Sequence, residues 1–215
     1  MVITVSHQKG GVGKSTLAFN IAVELSKKYK VEMVDLDVQQ TVSTYNVIRS
    51  SMDQAPIDVH VFSNDKQFVD YVNNIDDSVI AIVDSGGFDS SLNRIAILIS
   101  DFILTPVSTE FTEIMGLEKY QSILSELQKT TDNSIITNVV LNKVSPNQKN
   151  FDNVIDFVNK SPYFRLMDSI LRRRVDFANS VAYGFTVNEL DIKSDSSKEM
   201  SDLIKEIEEK VGLNG

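Results

Sequence analysis

Eight residues near the start of the chain, Lys9-Gly10-Gly11-Val12-Gly13-Lys14-Ser15-Thr16, have the types and spacing of a phosphate cradle. They follow the apolar run Val2–Val5 and open the helical pattern Leu17–Leu25. Between a strand and a helix, glycines let backbone N–H groups close around an anion, and the helix N-terminus adds its positive dipole end. Lys14 has the reach to neutralise β- and γ-phosphates, and the Ser15 hydroxyl is of the type that holds Mg²⁺. The loop departs from the plain pattern G-x-x-x-x-G-K-[ST]: Gln8 stands where its first glycine belongs, and an additional lysine, Lys9, comes next. A second cation in a small loop costs charge repulsion. Lys9 is either a solvated surface lysine or a group with a phosphate of its own to meet.

Two acidic segments close later apolar runs. Val31–Val34 leads into Asp35-Leu36-Asp37, and Val79–Val83 into Asp84-Ser85-Gly86-Gly87. An acid at the end of an apolar strand beside a phosphate loop suits Mg²⁺ held through water, which assigns that role to Asp84; the plainer reading is a strand-end cap. Ser85-Gly86-Gly87 supplies either a tight turn or N–H groups that sense a γ-phosphate. Asp35 and Asp37 lie two apart, share a face while extended, and beyond the strand end approach metal and water. His7 and His60 are the only histidines and have no partners at metal-ligand spacing, so they read as structural. No nucleophile-and-base set appears, and covalent catalysis has no support.

The elements that must position these groups alternate. Strand-like runs at Val2–Val5, Val31–Val34, Val59–Phe62, Val79–Val83, Phe102–Leu104 and Ile135–Leu141 are separated by helical patterns at Ser15–Lys27, Thr41–Ser51, Asp65–Val72, Ser91–Ile99, Glu113–Lys129 and Asn150–Val158. Continuous β-branched runs suit strands covered on both faces. The expectation is an α/β fold with a doubly wound, mostly parallel sheet, helices on both faces and the motif residues at strand carboxyl ends. No linker splits the chain, so residues 1–215 read as one domain, with an amphipathic helix at about 194–211 carrying Met200, Leu203, Ile204, Ile207 and Val211 on one stripe.

The string K-G-G-x-G-K-[ST]-[ST] resembles the deviant Walker A loop of the ParA/MinD family of ATPases. Asp35-Leu36-Asp37 resembles that family's second acidic motif, usually D-x-D-P-Q, with Val38 in place of the proline. Asp84-Ser85-Gly86-Gly87 resembles its Walker B, and Leu141-Asn142-Lys143 falls where the family places an adenine-binding Asn. The resemblance spans about residues 1–190. It implies ATP and Mg²⁺ as cofactors, with nucleotide held by Gly10, Gly11, Val12, Gly13, Lys14, Ser15, Thr16 and Asn142, and metal by Ser15, Asp35 and Asp84. It implies that Lys9 reaches across a dimer interface to the partner's nucleotide and that Asp37 orients the attacking water. Lys9, Lys14 and Asp37 are thus the catalytic set. The chain has no cysteine, which separates it from nitrogenase iron proteins that share the loop.

Charge pulls against one implication. The chain carries a formal net charge of −9, which repels nucleic-acid phosphates unless a local basic patch overcomes it. Arg172-Arg173-Arg174 is the densest positive cluster and lies where ParA-type proteins bind DNA without sequence preference. It reads either as that DNA contact, joined by Lys160 and Arg165, or as a solvated helix start or a set of internal ion pairs. The function expected is a small ParA-type ATPase for plasmid partition: an ATP-dependent homodimer, bound to non-specific DNA and stimulated by a centromere-binding ParB-like partner. Absence of a signal segment or an apolar run near a membrane span fits a cytoplasmic protein, nucleoid-associated when ATP-bound. The length leaves no room for the added N-terminal DNA-binding domain of longer relatives. Three other readings stay open: an ATPase positioning a non-DNA cargo, a MinD-like membrane-surface switch, which the mixed and rather acidic C-terminal helix disfavours, and a nucleotide-dependent scaffold with negligible turnover.

Overall fold

A computed structural model describes residues 1–131 and 134–213. Among these residues the chain runs β1 (Val2–Val5), α1 (Lys14–Ser26), β2 (Lys30–Asp35), α2 (Thr41–Ser51), β3 (Asp58–Val61), α3 (Asp65–Asn74), β4 (Val79–Asp84), α4 (Ser91–Ile99), β5 (Phe102–Val107), α5 (Phe111–Thr131) and β6 (Thr137–Val144). It continues with α6 (Asp152–Lys160), β7 (Phe164–Arg172), α7 (Asp176–Ala182), α8 (Val187–Leu190) and α9 (Asp195–Val211). The strands form one seven-stranded sheet in the order β3-β2-β4-β1-β5-β6-β7, and every described pairing is parallel. The α/β, doubly wound expectation holds.

Alternation along each strand divides the core into two layers. Ile3, Val5, Met33, Ile80, Ile82 and Leu104 pack with α1, α2, α7 and α9 on one face. Val2, Val34, Ala81 and Val83 pack with α3 and α4 on the other, and Ile103, Val139 and Leu141 with α5 and α6. Both faces are covered, which is why the central strands read as continuous apolar runs. The central order matters for function. β1 lies between β4 and β5, and β4 between β1 and β2, so Val5 is the register partner of Asp84, and Asp84 of Asp35. Three strand ends thus deliver the phosphate loop and both acidic motifs to one edge of the sheet, as open parallel sheets do for ligands.

Two features of the C-terminal third bear on the expectation. The strand β7 is not among the expected strands, and Arg172 is its last residue rather than the opening of a helix; α7 begins only at Asp176. The sequence Phe164–Arg172 sets Arg165 and Asp168 among its apolar residues because β7 is an edge strand, half exposed, with two register shifts against β6. That obscures the apolar run by which the other strands are recognised. The C-terminal helix α9 buries Met200, Leu203, Ile204 and Ile207 in the core.

The C-terminal elements are tied to the α2 layer by a buried ion pair. Arg49, 5% exposed, donates through both terminal nitrogens to Glu189 at 2.8 and 2.9 Å, and also to the carbonyls of Ala55 and Gly184. Four of its five N–H donors are thereby matched, which makes a buried guanidinium tolerable. Gly184 adopts φ +69°, and a Cβ there would overlap the Arg49 backbone nitrogen and Cα. Gly184→Ala is expected to cost about 2–4 kcal/mol, from overpacking added to left-handed backbone strain. Urea unfolding checks this: an unchanged midpoint would show that α2 and the α7–α8 turn do not meet as described.

Candidate nucleotide site

The loop between β1 and α1 is built by its glycines. Gly11 and Gly13 adopt φ +81° and +99°, and a Cβ on Gly13 would come 2.6 Å from Asn142 Nδ2. Only glycine fits where the chain turns this tightly against β6. From that strand Asn142 Nδ2 donates to the Val12 carbonyl at 2.8 Å and Lys143 Nζ to the Gly11 carbonyl at 2.6 Å. Asn142 and Lys143 therefore brace the loop, Lys143 from a left-handed backbone at φ +55°. Ser15 and Thr16 lie in the first turn of α1, with the helix N-terminus facing the loop.

Lys14 is folded into this cradle. It is 5% exposed, and its Nζ donates to the Lys9 carbonyl at 3.0 Å. Burial lowers its pKa, while Asp84, Asp37 and Glu113 favour the charged form. Asp84 lies at the bottom of the site, fully buried, and neither carboxylate oxygen has a hydrogen-bond partner. Burial, with Asp35 close by, pushes its pKa up to about 8 against the opposing influence of Ser15 and Lys14. A buried, unpaired carboxylate is costly unless a cation meets it. With the Ser15 hydroxyl it forms an oxygen donor set of the kind Mg²⁺ takes, completed by water and phosphate oxygens. Asp84 and Ser15 thus fit the ion that the loop type implies.

Asp35 is differently occupied. Its Oδ2 accepts from Ser43 N–H and Oγ at 3.0 and 2.8 Å, and its Oδ1 from the Asp37 amide at 3.2 Å. It organises the β2–α2 connection, and its role as a metal ligand rests on the resemblance alone. Asp37 lies just past the strand end, half-buried, with Oδ1 accepting from the Gln39 amide at 2.9 Å. The turn after Asp84 is held by a residue the sequence does not single out. Asn93 Oδ1 accepts from the Gly86 amide at 3.0 Å, and its Nδ2 donates to the Phe88 carbonyl at 2.6 Å. Gly87 packs so near the loop that a Cβ would lie 3.2 Å from Gly10 Cα.

Lys9 is held by α5 rather than by the loop. Its Nζ bonds Glu113 Oε1 at 2.6 Å and Thr112 Oγ1 at 3.0 Å at the start of α5, while its amide donates to His7 Nδ1 at 2.9 Å. His7 is buried against Tyr120, and burial with two nearby lysines lowers its pKa to about 3, so it stays neutral as this acceptor. A local motif does not reveal Glu113, which lies 104 positions from Lys9.

Beside the loop opens a cavity of about 400 Å³, lined in part by Gly13, Thr16, Ser108, Asn142, Arg173 and Phe177. The three arginines all border it. Arg172 donates to the carbonyls of Ser145, Pro146 and Gln148, and Arg174 pairs with Glu199 and Asp195. Arg173 is mostly exposed, with Glu110 as its partner at 3.0 Å. The structure therefore places the cluster at the cavity's rim, with two of its members engaged internally.

A glycine loop opening a helix, with a buried acid at the end of the neighbouring strand, defines a P-loop nucleotide-binding protein. The profile of the CobQ/CobB/MinD/ParA nucleotide binding domain matches residues 3–187, and the chain belongs to that family of ATPases. It is 25% identical over 242 aligned positions to the virulence plasmid ParA family protein pGP5-D of Chlamydia psittaci, covering 94% of this chain and 92% of that one. Its fold is similar to that of Cyanothece McdA in complex with ATP, with TM-score 0.75, 14% identity and coverage of 96% and 95%. It is also similar to a plasmid partition protein of Borrelia burgdorferi, with TM-score 0.61, 15% identity and coverage of 97% and 98%.

The buried state of Asp84 makes a sharp prediction. A carboxyl whose pKa is raised to about 8 is mostly protonated at pH 7 and must ionise to meet Mg²⁺. Binding of ATP with Mg²⁺ should be linked to release of the Asp84 proton at pH 7 and strengthen as pH rises to about 8, levelling above it. Calorimetry in buffers of different ionisation enthalpy reads this directly. Asp84→Asn should abolish the release; a pH-independent affinity in the parent protein would contradict the assignment.

Proposed function

We propose that this chain is an ATP hydrolase of the ParA type that partitions DNA, a plasmid being the replicon that its relatives suggest. ATP closes a homodimer with both nucleotides at the interface, the dimer binds DNA without regard to sequence, and a centromere-binding ParB-like protein stimulates hydrolysis and release. The observation that carries this reading is the division of labour between two lysines of one loop. Lys14 is buried beside Asp84 with its Nζ on the Lys9 carbonyl, whereas the Lys9 ammonium is partly exposed and bonded to Glu113 and Thr112 of α5 rather than to the loop. A cation not committed to its own loop is available to a phosphate on another subunit.

In the proposed reaction water attacks the γ-phosphate in line, and the chain contributes positioning and charge. Lys14 and the loop amides hold the β- and γ-phosphates, Asp37 orients the water, and the partner's Lys9 neutralises charge as the β–γ bond breaks. Ser15 and Asp84, with Asp35 in support, would hold Mg²⁺, which would supply charge neutralisation to the phosphates. Asn142, which lines the cavity, contacts the base.

DNA contact falls chiefly to Arg173, the arginine whose side chain is 64% exposed and held only by an exposed glutamate. Such a contact is electrostatic, requires dimerisation to double the patch on an acidic protein, and leads to nucleoid association in the ATP state. The internal engagement of Arg172 and Arg174 favours a second reading, in which the same ATPase cycle positions a non-DNA cargo. A membrane-surface role finds less support: no described helix is long and apolar enough to cross a membrane, and α9 commits its apolar stripe to the core.

Three variants test the scheme. Lys14→Ala should weaken ATP binding by at least about tenfold, since it removes a buried charged donor. Asp37→Ala should bind ATP and dimerise yet hydrolyse about 10²-fold or more slowly; a normal rate would place water orientation elsewhere. Arg173→Ala should weaken binding of random-sequence duplex by the ATP-bound protein and lower its salt slope by about one. Unchanged affinity would remove Arg173 from the DNA surface, and no binding by the parent protein at low salt would favour the non-DNA cargo.

A further inference from the structure

Glu113 combines three properties that a surface ion-pair partner does not have. It is 7% exposed, so its carboxylate is largely withdrawn from water. Its Oε2 is buried without a hydrogen-bond partner, so its one ion pair, from Oε1 to Lys9 at 2.6 Å, is the direct compensation its charge has, with Lys14 acting from further off. It stands in the first turn of α5, where Thr112 adds a second acceptor for the same ammonium at 3.0 Å. The approach of α5 is fixed by packing. Gly116 faces His7, and a Cβ there would come 2.9 Å from His7 Cε1 and 3.6 Å from Lys9 Cβ. With the Lys9 amide held by His7 Nδ1, the backbone of Lys9 is anchored, and its side chain is the part left to move.

We propose that Glu113 is a positioning residue for Lys9: it holds the ammonium against its own subunit and so sets how readily the ATP-bound protein associates with a second copy. The inference rests on the reading that Lys9 works across a dimer interface. For Lys9 to meet a partner's phosphates it must leave Glu113, and that exchange strands a carboxylate with almost no access to water. Self-association therefore carries a standing cost that only a strongly anionic acceptor offsets. A triphosphate meets that requirement better than a diphosphate, which gives the contact a part in discriminating ATP from ADP. Thr112 shares the hold, but as an exposed neutral group its share is smaller.

The test measures self-association with a non-hydrolysable ATP analogue by sedimentation, in a cycle of Glu113→Gln and Lys9→Ala. Glu113→Gln keeps an acceptor and removes the charge. It should tighten the dimer about tenfold, the effect of losing one partly buried charged hydrogen bond. In the Lys9→Ala background the same change should do little. That arm excludes a general effect of removing negative charge near the phosphates, which would persist without Lys9. Thr112→Val, at a position whose exposure keeps folding out of question, should tighten association roughly twofold. Equal or weaker association in both Glu113→Gln and Thr112→Val would overturn the proposal, as would tightening by Glu113→Gln that is undiminished without Lys9. If Lys9→Ala alone dimerises as tightly as the parent, the reading of Lys9 across the interface has failed, and the proposal with it.

Discussion

The site depends on burying one carboxylate, Asp84, beneath one lysine, Lys14, at the junction of three parallel strands. Neither group is comfortable there. Burial drives both toward their neutral forms, and Asp84 has no hydrogen-bond partner. The sheet order enforces the arrangement, since β4 lies between β1 and β2 and its last residue is in register with Val5 and Asp35. A cation and a polyphosphate relieve both groups together, so the unfavourable burial becomes affinity for the ligands. The surrounding braces keep the loop from collapsing to relieve it first: Asn142 and Lys143 from β6, and Asn93 on the Asp84 turn.

Charge elsewhere is managed by pairing. The chain is strongly acidic, and several of its arginines are employed inside it: Arg49 on Glu189, Arg94 on Asp89, Arg174 on Glu199. This bears on the arginine triplet, whose density in the sequence invites a DNA-binding reading. Pairing to Glu199 and to three carbonyls leaves Arg173 as the member with most of its side chain in water. The same triplet borders the nucleotide cavity, so occupancy of that cavity and the electrostatics of its rim are physically adjacent.

What is legible in the sequence is local. The glycine and lysine pattern at 9–16 is a statement about backbone conformation, and Gly11 and Gly13 adopt the positive φ it demands. Five of the six apolar runs mark strands because parallel sheets bury both faces, while the run at Val59–Phe62 falls on the half-exposed edge strand β3. The strand β7 escapes that signal because an edge strand carries charges, and its arginine stands out for charge before it stands out for backbone. Glu113, Asn93 and Lys143 escape for a different reason. Each acts on a residue distant in sequence or on a backbone group, and neither kind of contact leaves a pattern at fixed spacing. Asp35 has a part that its type and place do not show: its oxygens accept from Ser43 and the Asp37 amide and so organise the β2–α2 connection.

The central claim is that the catalytic site is completed by a lysine from a second copy of the chain. It is tested most directly by mixing two inactive proteins, Lys9→Ala and Asp37→Ala, and measuring ATP hydrolysis. If Lys9 acts across the interface and Asp37 within its own subunit, a mixed dimer contains one site with both groups intact. At protein concentrations that saturate even the dimers lacking Lys9, statistical pairing then restores about a quarter of the parent rate in an equal mixture. If Lys9 serves its own nucleotide, both sites of the mixed dimer stay defective, and a mixture no more active than its components would contradict the account.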